Sequence, residues 1–402
     1  MSKPMFSSLS VRNFRIYWMG MLISLVGSWI QGVAQSWLVF ELTRSAFLLG
    51  LVGFLGSLPL FFFSLLGGAY ADRISKRRII LFTQHAFMVL AFVLALLTYL
   101  KLIKPWHIML IAVLNGVVMA FDAPSRQAMV VELVGKRHLL NAIALNSAAF
   151  NSARIIGPAI AGILVSVIGM SGCFFLNGIS FLAVIIALML IKPDYTPRAD
   201  NKGVFVKDIL EGLRFIRRNS TILILIVIVG IISLFGLSYV ILMPVFADQV
   251  FKVGARGLGV LMSATGLGAL VAALVLARLG DFQYKGRLLS VSCLVFSVFL
   301  VLFSLSRVYA FSLVALAVIG WSSVTATSII NTLLQSNVPD AFRGRVMSGF
   351  MFTFAGIMPF GSLLGGVLAQ FFGVAFAVMA SGIVCTVSFI CIFKRYPQIG
   401  TL

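Results

Sequence analysis

Acidic residues are scarce in this chain. Eleven Asp and Glu stand against 31 Lys and Arg in 402 residues, and charged residues of both signs make up only 10%. A soluble domain carries about a quarter, and no water-soluble fold could hide a composition that is 61% hydrophobic. Histidine is almost missing as well: His85, His107 and His138 are scattered. That excludes a buried His/Asp/Glu grouping for metal or acid–base chemistry, and no nucleophile motif appears. A membrane-embedded enzyme is therefore a remote alternative, and no cofactor or metal is expected. The four cysteines, Cys173, Cys293, Cys385 and Cys391, have neither the paired spacing of a zinc site nor the density of a disulfide scaffold. They read as free thiols packed among helices. The opening MSKPMFSSLSVRNFRIYWMG lacks a small-residue cleavage site after a short apolar core, so its first apolar segment is expected to stay as a helix.

What is present is apolar sequence in long runs, at about 14–40, 46–71, 78–102, 106–130, 139–168 and 171–192, then 221–249, 256–280, 287–306, 309–336, 344–372 and 374–394. A spanning helix takes ~20 apolar residues. Backbone groups in lipid must be satisfied within their own segment, and barrel strands would alternate and be half as long. The expectation is an all-α membrane protein of 12 transmembrane helices. With both termini inside, the cytosolic segments collect 24 basic residues and the opposite face six, leaving only Arg154 inside run 5. That bias places both termini in the cytosol. It also accounts for the net charge of +20 as residues held at a membrane surface, so no nucleic-acid partner is expected.

The polar stretch 193–220 (PDYTPRADNKGVFVKDILEGLRFIRRNS) separates residues 1–192 from 221–402. Phe205, Ile209, Leu213 and Ile216 fall on one helical stripe, with Lys207, Asp208, Glu211, Arg214 and Arg218 elsewhere, which reads as an amphipathic helix on the cytosolic surface. The two halves echo each other. ADRISKRRII (71–80) aligns with GDFQYKGRLL (280–289), Asp72 on Asp281, and GPAIAG (157–162) with GSLLGG (361–366). The offsets are 209 and 204. A duplicated six-helix unit is the expected trace of a transporter that rocks one half against the other.

The stretch Gly68-Ala-Tyr-Ala-Asp72-Arg73-Ile-Ser75-Lys76-Arg77-Arg78 resembles the loop signature between helices 2 and 3 of the major facilitator superfamily, with Ser75 in place of the loop glycine. Gly157-Pro158-x-x-Ala161-Gly162 resembles the helix 5 signature of the superfamily's exporters, Ala161 replacing one glycine. Phe121-Asp122-Ala-Pro124-Ser-Arg126-Gln and Leu140-Asn141-Ala142 are similar to the enterobactin-exporter and macrolide-efflux branch. The resemblance covers essentially the whole chain. It implies the major facilitator fold of two pseudo-symmetric six-helix halves, with the Asp72 loop facing the start of run 11 at Arg343-Gly344-Arg345. There an aspartate can accept from free N–H groups, complement the helix's positive end and pair with Arg345. The glycines of 157–162 allow close helix approach. Asp72, Arg73, Lys76, Arg77, Asp281 and Arg345 are thus the expected gate residues, with Gly68, Gly157, Pro158 and Gly162.

The resemblance also implies that runs 1, 4, 7 and 10 line the substrate path, and these are the polar ones. Gln31 and Gln35 lie one turn apart in run 1, and Asn115 and Asp122 lie in run 4. Run 7 carries Ser238 and Tyr239, and run 10 carries Trp321, Ser328, Asn331 and Gln335. Run 5 adds Asn151 and Arg154, and run 11 adds Phe350, Phe354 and Met358. Amides, aromatics and one cation suit a bulky, partly aromatic, neutral or anionic small molecule. Runs 9 and 12 carry little beyond serine, threonine and cysteine. Asp122, one turn from Arg126, is either half of a plain ion pair or a proton-coupling carboxylate. The arginine that relatives often carry three positions before Asn115 is Ala112 here, so coupling through it is not expected. The reading is an exporter of the inner (cytoplasmic) membrane, acting as a monomer on a siderophore or drug, with protons as a candidate coupling ion. A lysophospholipid flippase is the alternative.

Overall fold

The computed structural model describes residues 7–191, 205–280 and 282–401, apart from the side chains of 64–73, 136, 205–210, 212, 340, 341 and 401. Among the described residues, twelve helices are long and apolar enough to cross a membrane. They are α1 (Arg12–Thr43), α2 (Ala46–Arg73), α3 (Lys76–Tyr99), α4 (Pro105–Gly135), α5 (Arg137–Val167), α6 (Gly169–Leu190), α7 (Ser220–Val250), α8 (Gly254–Leu279), α9 (Lys285–Leu305), α10 (Tyr309–Asn337), α11 (Asp340–Phe372) and α12 (Val374–Arg395). No strand occurs among the described residues. A further helix, Phe205–Arg218, lies in the central polar stretch.

Two elements differ from the pattern of the sequence. A turn was expected between α4 and α5, yet helix runs from Pro105 to Val167 with one non-helical residue, Gly135, at φ 62° and ψ 179°. Glycine alone enters that region at little cost, so one residue redirects the chain. Span α7 is a regular helix only as far as Leu234. It continues as a 3₁₀ turn at Gly236–Val240 and a π-helical turn at Phe246–Val250. Such departures frequently mark functional positions in a helix.

The chain forms two compact units. The first holds residues 1–44, 55–199 and 254–263; the second holds 45–54, 200–253 and 264–402. In the first, α1 lies against α6, where a Cβ on Gly20 would meet the Ala183 carbonyl at 2.8 Å. One end of the unit is an apolar core of Phe14, Tyr17, Ile80, Met129, Val184 and Leu188. The N-terminal turn Ser7–Ser10 docks beside it, with Ser8 N and Oγ both donating to Asn141 Oδ1 at 2.9 and 2.7 Å. In the second unit, α7 lies on α11, where a Cβ on Gly361 would meet the Ser233 carbonyl at 2.7 Å.

The internal repeat holds at the level of individual contacts. In the first unit Gly116 on α4 packs on the Gly56 carbonyl of α2; in the second Gly320 on α10 packs on the Thr265 carbonyl of α8. Gly178 meets the Phe92 ring in the first, and Gly382 meets Val301 in the second. Asn177 Nδ2 donates to Gln31 Oε1 at 2.7 Å, and the matching Ser238 and Ser381 hydroxyls lie 3.5 Å apart. Two further crossings complete the set. Within the first unit α8 meets α5 at Gly259 and Gly162, and within the second α2 meets α11 at Gly50 and Gly366. At the glycine positions small residues let neighbouring helices approach closely, the usual basis of helix association in lipid.

Candidate functional site

Arg154 is the most unusual side chain of the first unit. It lies 17 residues after the start of α5 and 13 before its end, ~25 and ~20 Å along the helix at 1.5 Å per residue. It is half-buried, with no ion pair or hydrogen bond among the described residues. A charge in mid-span costs at least ~2.5–3.5 kcal/mol on insertion scales. Its neighbours on the same helical stripe fix its surroundings. The Phe150 ring packs edge-on against Trp29 at 5.9 Å, and a Cβ on Gly157 would collide with Trp29. Arg154 lies between these two contacts, so it sits at the edge of the α1–α5 seam, at the level of Trp29 and Gln31.

The other polar candidates of this unit divide into committed and uncommitted groups. Gln31 is taken by Asn177 of α6, and Asn151 donates to its own helix at Ser147 O, 2.8 Å away. Gln35 and Asn115 are half-buried and make no side-chain hydrogen bond among the described residues. Asn177 was not among the residues expected from the sequence. Its signal was available in the repeat, because it falls on Ser381, which faces Ser238.

Asp122 is 1% exposed and lies inside a set of donors. Arg126 Nε pairs with Oδ2, Thr83 Oγ1 donates to Oδ1 at 2.6 Å, and Gln84 Nε2 donates to the same oxygen at 3.0 Å. Arg126 also touches Met21 Sδ. Lone pairs on both carboxylate oxygens are thus occupied by α3 and α4, and Arg154 is not among their partners.

In the second unit Tyr239 is 2% exposed, inside the 3₁₀ turn of α7. Ser238 donates to Phe235 O at 2.7 Å. Trp321 is half-buried at the α8–α10 crossing, where its backbone N lies 2.9 Å from a Cβ built on Gly268. Asn331 accepts from Gln335 Nε2 at 2.9 Å. Phe350 and Phe354 stack with their centroids 6.3 Å apart. The two units therefore contribute separate groups of candidates.

Of the expected gate residues, the side chains of Asp72 and Arg73, with Gly68 and the whole of Asp281, lie outside the described residues. Lys76 is buried and pairs with Glu132 of α4 at 2.9 Å. Arg77 Nη2 reaches the Met189 carbonyl at 3.5 Å. Pro158 presents its carbonyl to Gly259, and Gly162 lies against Arg256, whose Nε donates to Ser166 Oγ at 2.9 Å. Arg345 Nη1 bonds Glu211 Oε2 at 2.8 Å, a partner the motif did not suggest. Two residues of the apolar stripe expected on the linker helix, Leu213 and Ile216, are described. Ile216 packs against Gly349, but Leu213 is 54% exposed, and Phe215 rather than Leu213 contacts α11, stacking on Phe342 at 4.4 Å. Phe205 and Ile209 lie outside the described side chains.

Twelve spans, a duplicated contact pattern and polar groups held inside the spans define a multi-pass membrane protein of the secondary-transporter class. The chain matches the family described as transmembrane secretion effector over residues 3–401, and it belongs to that family of the major facilitator superfamily. Relatives include the staphyloferrin A transporter of Staphylococcus aureus, 28% identical over 365 residues, which cover 90% of this chain and 91% of that one. Another is the enterobactin exporter EntS of Shigella boydii, 26% identical over 333 residues, 83% and 79% of the two chains. Among solved structures, a bacterial homologue of the human lysosomal transporter Spinster, inward-facing and unoccupied, matches with a TM-score of 0.74 at 14% identity, covering 100% and 98% of the chains. A POT family transporter in complex with a thioalcohol-conjugated peptide matches at 0.75 and 13%, covering 96% of each. At such identities the likeness is one of fold.

Proposed function

We propose that this transporter exports a siderophore-like molecule, bulky and neutral or anionic, across the cytoplasmic membrane of a bacterium by alternating access. The observation that carries the reading is Arg154, a half-buried mid-span cation without an ion pair among the described residues; the same unit also holds the uncommitted amides of Gln35 and Asn115. A cation so placed recognises carboxylate or catecholate oxygens through paired N–H donors. The staphyloferrin A and enterobactin relatives support the substrate class. The division into residues 1–192 and 221–402 around a linker at 193–220 belongs to the same proposal, as does a non-enzymatic, monomeric protein. Reconstituted into liposomes, the chain is expected to accumulate iron-free staphyloferrin A or enterobactin at least tenfold over protein-free vesicles. Translocation of lysophosphatidylcholine with neither siderophore moved would establish the flippase instead.

The orientation and the gate are tested together. The asymmetry of basic residues supports cytosolic termini, and Asp72 is proposed to cap the start of α11. An Asp72→Asn protein is expected to lose transport severalfold. Position 76, the linker and both termini should still label from the cytosol, and positions 104 and 252 from outside. Wild-type transport would reduce the motif to a topology signal, and linker labelling from the outer face would overturn the orientation.

A further inference from the structure

The linker helix Phe205–Arg218 has two faces with opposite duties. One grips the start of α11: Glu211 bonds Arg345 at 2.8 Å, the Phe215 and Phe342 rings stack within 8° of parallel, and Ile216 Cδ1 lies against Gly349. The other face points away from α11. At 100° per residue, Leu213, Arg214 and Arg217 fall in the sector opposite Phe215 and Ile216, while Arg218 lies between that sector and Glu211. All four are exposed, Leu213 at 54%. Two guanidiniums, of Arg214 and Arg217, thus share a sector with one bare leucine, and residues 213–218 contain no acid.

This helix cannot stand far from the bilayer. Only Asn219 separates it from α7, and the Asn219 side chain caps that span by accepting from Ile222 N at 3.2 Å. The residues that follow, STILILIVIV, are membrane sequence. A short helix at the lipid boundary with an Arg–Leu–Arg surface matches an interfacial element whose apolar residue enters the acyl margin while its cations meet headgroups. Guanidinium forks pair with phosphate oxygens, and a basic residue beside an anionic surface multiplies partitioning about fivefold. Two such residues, Arg214 and Arg217, give about twenty-five-fold at low salt.

We propose that the linker helix is a docking site for anionic phospholipid headgroups, and that Glu211, Phe215 and Ile216 tie the docked helix to the start of α11. Zwitterionic lipid offers the same acyl margin to Leu213 but no net charge to the arginines. Headgroup charge, rather than apolarity, therefore decides whether the helix is held. The site does not depend on the identity of the transported molecule.

The test uses the full chain in nanodiscs, with a bimane label on Leu213→Cys in a Cys391→Ser background. Cys391 is the exposed native thiol, and the other three are buried. Brominated phosphatidylglycerol is expected to quench the label at least twofold more than brominated phosphatidylcholine at equal mole fraction. The difference should vanish in Arg214→Gln/Arg217→Gln/Arg218→Gln and shrink in high salt. Equal quenching by the two lipids, quenching by neither, or a phosphatidylglycerol preference that survives the triple substitution would each overturn the proposal. A second label at Arg343→Cys reads the coupling. Its mobility in phosphatidylglycerol should rise on Glu211→Gln/Phe215→Ala, and unchanged mobility would show that the docked helix is not tied to α11.

Discussion

An Arg154→Ala protein is expected to reach the membrane in normal amounts and to lose transport of anionic substrates by at least tenfold, with Arg154→Lys restoring part of it. Removing the cation relieves the chain of a mid-span charge and orphans no acid, because Asp122 is already engaged by Arg126, Thr83 and Gln84. Lysine keeps the charge and loses the fork, so partial recovery measures how much of the recognition is bidentate. Quantitative blotting of membrane fractions beside transport assays separates the alternatives. If the alanine protein is absent from the membrane and Asp122→Ala restores it, Arg154 is a structural ion-pair partner and has no part in binding.

At Asp122 the larger cost should fall on stability. An Asp122→Ala change leaves Arg126, whose side chain is 16% exposed, without its counter-charge, and leaves Thr83 and Gln84 without their acceptor. Breaking one partner of a buried pair costs about 3–5 kcal/mol, which thermal unfolding in detergent would register as a drop in midpoint of several degrees. The double substitution Asp122→Ala/Arg126→Leu removes both charges and is expected to regain most of that loss. Asp122→Asn separates the structural role from proton coupling, since it keeps an acceptor for Thr83 and Gln84. A stable Asp122→Asn protein that transports normally but no longer responds to a pH gradient would show that the carboxylate carries protons, and that the pair with Arg126 is incidental.

The spans were legible because lipid imposes one rule on every residue within them: each backbone group must bond inside its own helix, so apolar length alone predicts a span. The repeat was legible in Asp72 with Asp281 and in the glycines at 157–162 and 361–366, since close helix crossings tolerate few residue types. Three features were not legible, each for a physical reason. Gly135 turns the chain with one residue, and a lone glycine in a helical pattern does not announce a positive φ. The 3₁₀ and π turns of α7 flank Pro244; a proline marks a break in a helix but not which kind of turn stands on either side of it. The Glu211–Arg345 and Phe215–Phe342 contacts join segments about 130 residues apart, a separation that helical periodicity does not bridge. Among the candidate site residues, the sequence marked polarity within apolar runs correctly. It could not show that Gln31 and Asn151 have partners inside the protein while Arg154, Gln35 and Asn115 have none among the described residues.

The repeat offset carries a further consequence. It is 209 residues for Gly50, Gly56 and Phe92 and 204 for Gly116, Gly162 and Asn177, so the change falls between residues 92 and 116. Helix α3 has 24 residues and α9 has 21. The connection after α3 runs over five residues, 100–104, and the one after α9 over three, 306–308. The shorter helix and shorter loop account for the whole shift, and beyond it the two copies return to register at once. From residue 50 onward, the two copies differ in length at this one helix end, and the paired crossings beyond it keep a constant offset. The loops at 100–104 and 306–308 absorb the difference in length, while the contacts that cross them, Gly116 on Gly56 and Gly320 on Thr265, are kept in both copies. Length is therefore free to vary where the chain leaves the bilayer, and fixed where one helix backbone rests on another.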